Sequence, residues 1–202
     1  MNLGEFKELV EETAGRKKIN VLPFIKFAKE EIERKWDFRW MGLWADFTLS
    51  KGKNAIAQPK GLKRVEFLRF YYAGKWHYTE AVAPQEEQVA EGIPQFYWID
   101  GARQFVFDKE AFEDLSGEIS GFRYTDFPKE DTGTHWLLDF GADALLAKTM
   151  MNLAGYLRED TQVVYQYWQG MYHEAVETML NEQSRFEHGN HEMQMGYHVA
   201  GS

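Results

Sequence analysis

With 202 residues, 44% of them hydrophobic, the chain can bury one large core or a core with a substantial insertion, and having no cysteine it excludes disulfides, thiolate zinc sites and cysteine nucleophiles. The formal charge of -9, from 32 acidic against 23 basic residues, argues against tight general binding of nucleic acid, which depends on Lys and Arg neutralising phosphates. Residues 1–8 hold no apolar signal core and no apolar run approaches the ~20 residues that span a bilayer, which reads as a soluble protein made in a cytoplasm with no membrane partner.

In chain order, Leu3, Phe6, Leu9 and Val10 share one side of a short helix with Asn2 as its cap, and Gly15 stops it. After the basic run Arg16-Lys17-Lys18, a second helix opens near Pro23. Its apolar stripe is Phe24, Phe27, Ala28, Ile32 and Trp36, with Glu30, Glu31, Glu33, Arg34 and Lys35 on the wet side. Trp36, Phe38, Trp40 and Trp44 form an aromatic cluster expected at the junction of helices and sheet.

The pattern then turns to strands. Ala45–Ser50 alternates and ends in the turn Lys51-Gly52-Lys53-Asn54, and Val65–Tyr72 and Lys75–Glu80 flank Ala73-Gly74 as a hairpin. Pro84–Ala90 reads as one or two helical turns. Gln95–Ile99 and Ala102–Phe107 flank Asp100-Gly101, a strong hairpin signal because the glycine accepts positive φ. Gly117–Tyr124 is the last expected strand.

A helical hairpin follows over 136–186. Leu138, Ala142, Leu145, Leu146, Met150, Leu153, Ala154 and Leu157 form its first stripe; Val164, Trp168, Met171, Tyr172, Ala175, Val176, Met179 and Leu180 form the second. The short connection Arg158-Glu159-Asp160-Thr161 makes the two antiparallel. From His188 to Ser202 there is no Leu, Ile or helical stripe, so this tail is expected to leave the bundle in an extended form.

No nucleotide-binding, zinc-protease or serine-hydrolase motif is present, so the chain reads as no enzyme and needs no cofactor. His188, His191 and His198 gather in the tail, but Gly189 beside them works against fixed ligand geometry, and no metal site is expected. The plentiful carboxylates have no spacing that marks a glycosidase pair. Aromatics make up 16% of the chain, more than a core of this size needs, and the surplus points to interfaces. Trp76, His77 and Tyr78 with Phe96, Tyr97 and Trp98 offer an alternative, a stacking surface of a carbohydrate-binding module. A peptidoglycan-cleaving tail protein is the enzymatic version of that alternative.

Gly92-Ile93-Pro94-Gln95-Phe96-Tyr97-Trp98-Ile99-Asp100-Gly101, followed by the small-residue helix that closes in Ala154-Gly155-Tyr156-Leu157-Arg158-Glu159-Asp160, resembles the head-to-tail adaptor (head-completion, connector) proteins of short-tailed bacteriophages. The order of an N-terminal helical pair, a hairpin-rich middle and a long last helix is similar from Leu3 to Phe186. The resemblance implies a structural virion protein of the neck, present in the host cytoplasm before assembly. It implies a homo-oligomeric ring, usually a dodecamer, between the portal protein and a tail nozzle or tube protein, with DNA passing through the channel without specific binding. Within it, Met193, Met195 and Tyr197 of the tail are the expected portal-binding side chains, entering apolar pockets alternately.

The expected fold class is α+β, a helical bundle from N- and C-terminal helices with a β-rich insertion between them. The expected divisions are an N-terminal helical pair over 1–44, the β-rich insertion over 45–134, the C-terminal hairpin over 135–187 and the extended tail over 188–202.

Overall fold

The computed structural model describes residues 1–15, 19–84, 90–157 and 161–196, with backbone alone at 157, 161 and 186–196. Among the described residues are five α-helices, α1 (Leu3–Thr13), α2 (Leu22–Lys35), α3 (Trp136–Phe140), α4 (Ala142–Leu157) and α5 (Thr161–Gly196), and one 3-10 turn over Arg39–Met41. Eight strands lie between α2 and α3 among the described residues: β1 (Gly42–Leu49), β2 (Ala55–Ala57), β3 (Leu62–Tyr72), β4 (Lys75–Tyr78), β5 (Glu80–Ala81), β6 (Phe96–Ile99), β7 (Gln104–Phe107) and β8 (Leu115–Arg123). The chain divides into a helical unit, Met1–Trp40 with Asp126–Ser202, and a β unit, Met41–Thr125.

The expected fold class, one bundle bearing an insertion, is corrected by this division. The middle segment is a unit in its own right, made of two four-stranded sheets in the orders β1-β8-β3-β4 (sheet A) and β2-β7-β6-β5 (sheet B). Leu49, Leu68, Phe70 and Ile119 of sheet A join Tyr97, Phe105 and Phe107 of sheet B in one buried cluster. The cluster holds no helix residue, so the inner faces of the two sheets bury one another, while β6 and β7 are buried at Trp98 and Val106 as well.

Local chemistry sets the turns. Ala73 and Gly74 both have positive φ, 49° and 78°, and Tyr72 pairs with Lys75 across them, the two-residue hairpin expected there. The Asp100-Gly101 turn differs from expectation. Its loop has four residues, and Arg103, at φ 59°, takes the left-handed position. Asp100 Oδ1 accepts from the backbone N–H groups of Ala102 and Gln104 at 2.9 and 2.8 Å, and these bonds favour the wider loop. The run Lys75–Glu80 is also split: Thr79 N–H bonds back to Leu68 O, and the next residues pass into sheet B as β5. The 85–89 part of the helical turns expected near Pro84 lies outside the described residues.

In the helical unit, Asn2 caps α1 as expected, with Glu5 closing a reciprocal capping box. Helix α4 has buried residues at Ala144, Leu145, Ala147, Thr149, Met150, Met151, Leu153 and Ala154, far more of its circumference than one stripe. It contacts α1, α2, α3 and α5. Lys148 lies against Tyr172 while residues 141–144 line a groove with Met179 and Glu182, so α5 runs antiparallel to α4. The 158–160 connection lies outside the described residues.

Two stripes shift. The buried face of α2 is Ile25, Ala28, Lys29, Ile32 and Glu33, while Phe27 is 51% exposed, because an ion pair lets two charged residues occupy the inner face. Met171 of α5 is exposed, with Tyr172, Val176 and Met179 buried instead.

Helix α5 also corrects the extended tail. Its backbone stays helical to Gly196, through Met193 and Met195, and Tyr197 lies outside the described residues. Once a long helix is nucleated, each added residue gains a hydrogen bond at little further entropic cost, and Glu192, Met193, Gln194 and Met195 are good helix formers.

Two substitutions test these assignments. Gly121 pairs with Val65 where the β3–β8 register shifts, and a Cβ there would press on Arg64 O and Val65 Cα. Gly121→Ala should cost about 2 kcal/mol or more in denaturant unfolding, because the obstacle is backbone. Ala73→Asn should stabilise by roughly 0.5 kcal/mol, since Asn tolerates the left-handed position better.

Candidate functional site

The outer face of sheet A can be read off its register. One row across the strands is Trp44, Ser120 and Phe67; the next is Asp46, Glu118, Arg69 and Tyr78; the third is Thr48, Ser116, Tyr71 and Trp76. Trp44 and Tyr78 are each 58% exposed, large for aromatics on a strand. Arg69 organises them. Its Nε and Nη2 donate to Glu118 Oε2 at 3.0 and 2.7 Å and its Nη1 to Tyr78 Oη at 2.9 Å, while its guanidinium lies 4.1 Å from the Trp76 ring centre and 4.9 Å from that of Phe67. The Glu118 bond, ahead of a smaller opposing burial effect, raises the arginine pKa further, so its charge is permanent.

This face differs from the expected stacking surface. Trp76 and Tyr78 lie in sheet A, whereas Phe96, Tyr97 and Trp98 belong to β6 of sheet B, with Tyr97 and Trp98 buried. Neighbouring rings on the sheet A face cross steeply, Trp44 on Phe67 at 79° and Tyr71 on Trp76 at 60°. Arg69 already stacks on Trp76. Such a surface is knobbed, not flat, and its Trp, Tyr and Arg content is that of protein–protein hot spots. The expectation missed Trp44, Phe67, Arg69 and Tyr71; their alternation along β1 and β3 was the available signal.

The aromatic cluster at 36–44 is likewise divided. Trp40 stacks on Trp136 and Phe140 at 5.6 and 5.0 Å within the helical unit, Trp36 Nε1–H donates to Tyr172 Oη, and Trp44 belongs to the sheet face.

Helix α5 is apolar on two sides. Tyr172, Val176 and Met179 are buried, while Val163 (68% exposed), Tyr167 (60%) and Met171 recur at steps of four on an open side. Met171 also edges a groove of about 420 Å³ between the start of α4 and the later part of α5.

The helical core holds a cluster of ionisable groups. Lys29 Nζ is 2.8 Å from Glu33 Oε2, Trp136 Nε1–H donates to Glu33 Oε1 at 3.2 Å, and His135 Nε2 stands 3.7 Å from the same oxygen. His135 Nδ1 accepts from Leu137 N–H, capping α3, which places the proton of the neutral ring on Nε2. Burial, helped by Lys29 and opposed by Asp139, lowers the His135 pKa from 6.5 to about 4. Every group has a packing or capping role, so the cluster reads as structural.

Among the described residues no group of three or more His, Cys, Asp or Glu is placed to hold a metal, and no helix is long and apolar enough to cross a membrane. Of the tail histidines, His188 and His191 fall where backbone alone is described and His198 lies outside the described residues; the side chains of Met193 and Met195 are likewise undescribed. No family model matches the sequence, and no curated protein matches it.

Because the folded state favours neutral His135, the stability it confers is full above pH 6.5 and is lost as pH falls toward 4. The loss should be on the order of 3 kcal/mol at most. His135→Asn, which keeps a capping oxygen, should flatten stability over that window in chemical denaturation at stepped pH; an unchanged slope would assign it to other groups.

Proposed function

We propose that this protein is a structural virion component, a ring-forming adaptor of the neck that joins the portal to the tail and completes the DNA-filled head. The observation that carries the reading is the second apolar side of α5. A helix that has already buried one face needs no further Val, Tyr and Met in water, and an exposed apolar stripe of this kind marks an interaction surface. The hot-spot composition of the outer face of sheet A supports a second contact, toward a neighbouring copy or a tail nozzle or tube protein. The order of elements adds the resemblance to phage adaptors.

A ring of many copies, usually twelve in the family it resembles, repeats one heterologous contact until it closes. The acidity suits a channel through which DNA passes without being gripped, since a wall short of Lys and Arg releases few counterions on contact. No catalytic step is required of it. The backbone helix through Met193 and Met195 changes the proposed portal contact from an extended strand to a helical segment.

Val163→Lys with Tyr167→Lys tests the reading. Both sites are exposed, so stability should change by no more than about 0.5 kcal/mol. With the stripe as the contact to the portal on which the ring forms, native mass spectrometry with the portal should show wild-type rings bound to it and a folded double variant that neither binds the portal nor assembles on it. Normal rings from the double variant would remove the supporting observation, and a wild-type chain that stays monomeric beside its portal would end the reading.

A further inference from the structure

The groove between α4 and α5 is acidic around an apolar floor. Asp139, Asp143, Glu174 and Glu182 line it with no Lys, Arg or His among them, while Phe140, Met171 and Ala175 contribute apolar surface. Asp139 meets the Met1 ammonium at 3.4 Å, and the other three carboxylates have no ion-pair partner among the described residues. Its complement is an apolar side chain flanked by bases.

Helix α2 presents that complement. Its inner residues Ile25, Ala28 and Ile32 are buried and the helix packs on α4, leaving Lys26, Phe27, Glu30 and Arg34 together on the exposed side. Phe27 is an aromatic side chain half in water, with Lys26 beside it and Arg34 two turns on. Glu30 reduces the charge but leaves the face net positive. By contrast, the exposed Val163 and Tyr167 sit on a helix with neither Lys nor Arg from Thr161 to Ser184.

We propose that the α2 face of one copy docks in the α4–α5 groove of the next, Phe27 entering between Met171 and Ala175 while Lys26 and Arg34 meet Glu174 and Glu182. The inference rests on the ring reading and names its repeating contact. Knob and groove are different surfaces of the same unit, so the contact is heterologous and can be repeated from copy to copy. A chain of charge -9 resists self-association wherever acid meets acid, and this pairing sets its acidic groove against basic side chains.

The natural absence of cysteine makes disulfide trapping a clean test. Cysteine replaces Phe27 in chains that also carry T178C or A175C, since bond formation requires Cβ atoms within about 4.5 Å. Mild oxidation should give a ladder of covalent oligomers from at least one double variant and only background dimer from the single variants. Adding K26E and R34E should reduce trapping about tenfold or more, and adding E174K and E182K as well should restore it. No trapping above background, or no rescue, overturns the contact; if native mass spectrometry with the portal then still shows rings, the ring reading stands without it. Efficient trapping that stops at a closed dimer keeps the contact and overturns the ring.

Discussion

Helix α4 is apolar around most of its circumference, and the helical unit follows from that. A helix with one apolar stripe can rest on a single neighbour; one with Leu145, Leu153, Ala144 and Ala147 all buried must be enclosed. Fully burying a Leu or Met side chain contributes about 1.5–3 kcal/mol, so Leu145, Met150, Met151 and Leu153 together contribute an amount comparable to the margin by which a domain is stable, before the entropy of ordering the helix is counted. The enclosing helices come from both ends of the sequence: α1 and α2 before the sheets, α3 and α5 after them. Neither end can satisfy α4 alone.

Local signals were legible where a few adjacent residues decide the outcome. The cap at Asn2 and the Ala73-Gly74 hairpin depend on neighbours within four positions, and both were readable. The face of α2 was not, because Lys29 and Glu33 look like surface residues until Trp136, a hundred positions on, is seen donating to Glu33. The Asp100 loop shows the same limit at shorter range: a side chain that accepts two backbone N–H groups outweighed the glycine next to it. The two-sheet unit was under-read for a further reason. Short strands such as β2 and β5 have little periodicity of their own and exist through partners distant in sequence. Of the candidate surfaces, aromatic excess was visible, but its location was not, since the strand pairings that put Trp44 and Tyr78 around Arg69 are set by the sheet.

Arg69 gives the outer sheet face a property that exposed aromatics seldom have. Rings on a surface ordinarily sample several rotamers and lose that freedom when a partner arrives. Here the guanidinium lies over Trp76 and Phe67 and bonds Tyr78, holding three rings in one arrangement beforehand. Less entropy remains to be lost on docking, since immobilising each such side chain otherwise costs about 0.5–1.5 kcal/mol. The same arginine is neutralised by Glu118, so the face presents ring edges more than net charge.

The pairing of β1 with β8 bears on how the chain folds. Gly42 lies opposite Phe122, so the strand that enters the β unit and the strand that leaves it are neighbours. Bringing together the ends of a free segment of roughly 80 residues would cost about 4 kcal/mol in chain entropy. Formation of sheet A closes that segment through its own hydrogen bonds and buried side chains. On a ribosome adding about 5–20 residues per second, α1 and α2 emerge many residues before α4, and the sheets can fold in that interval. By the time α4 appears, the N-terminal helices are already tethered near the point where the chain emerges from the sheets. The two-sheet unit thus acts as an internal clamp, converting a distant encounter between the two ends of the sequence into a local one.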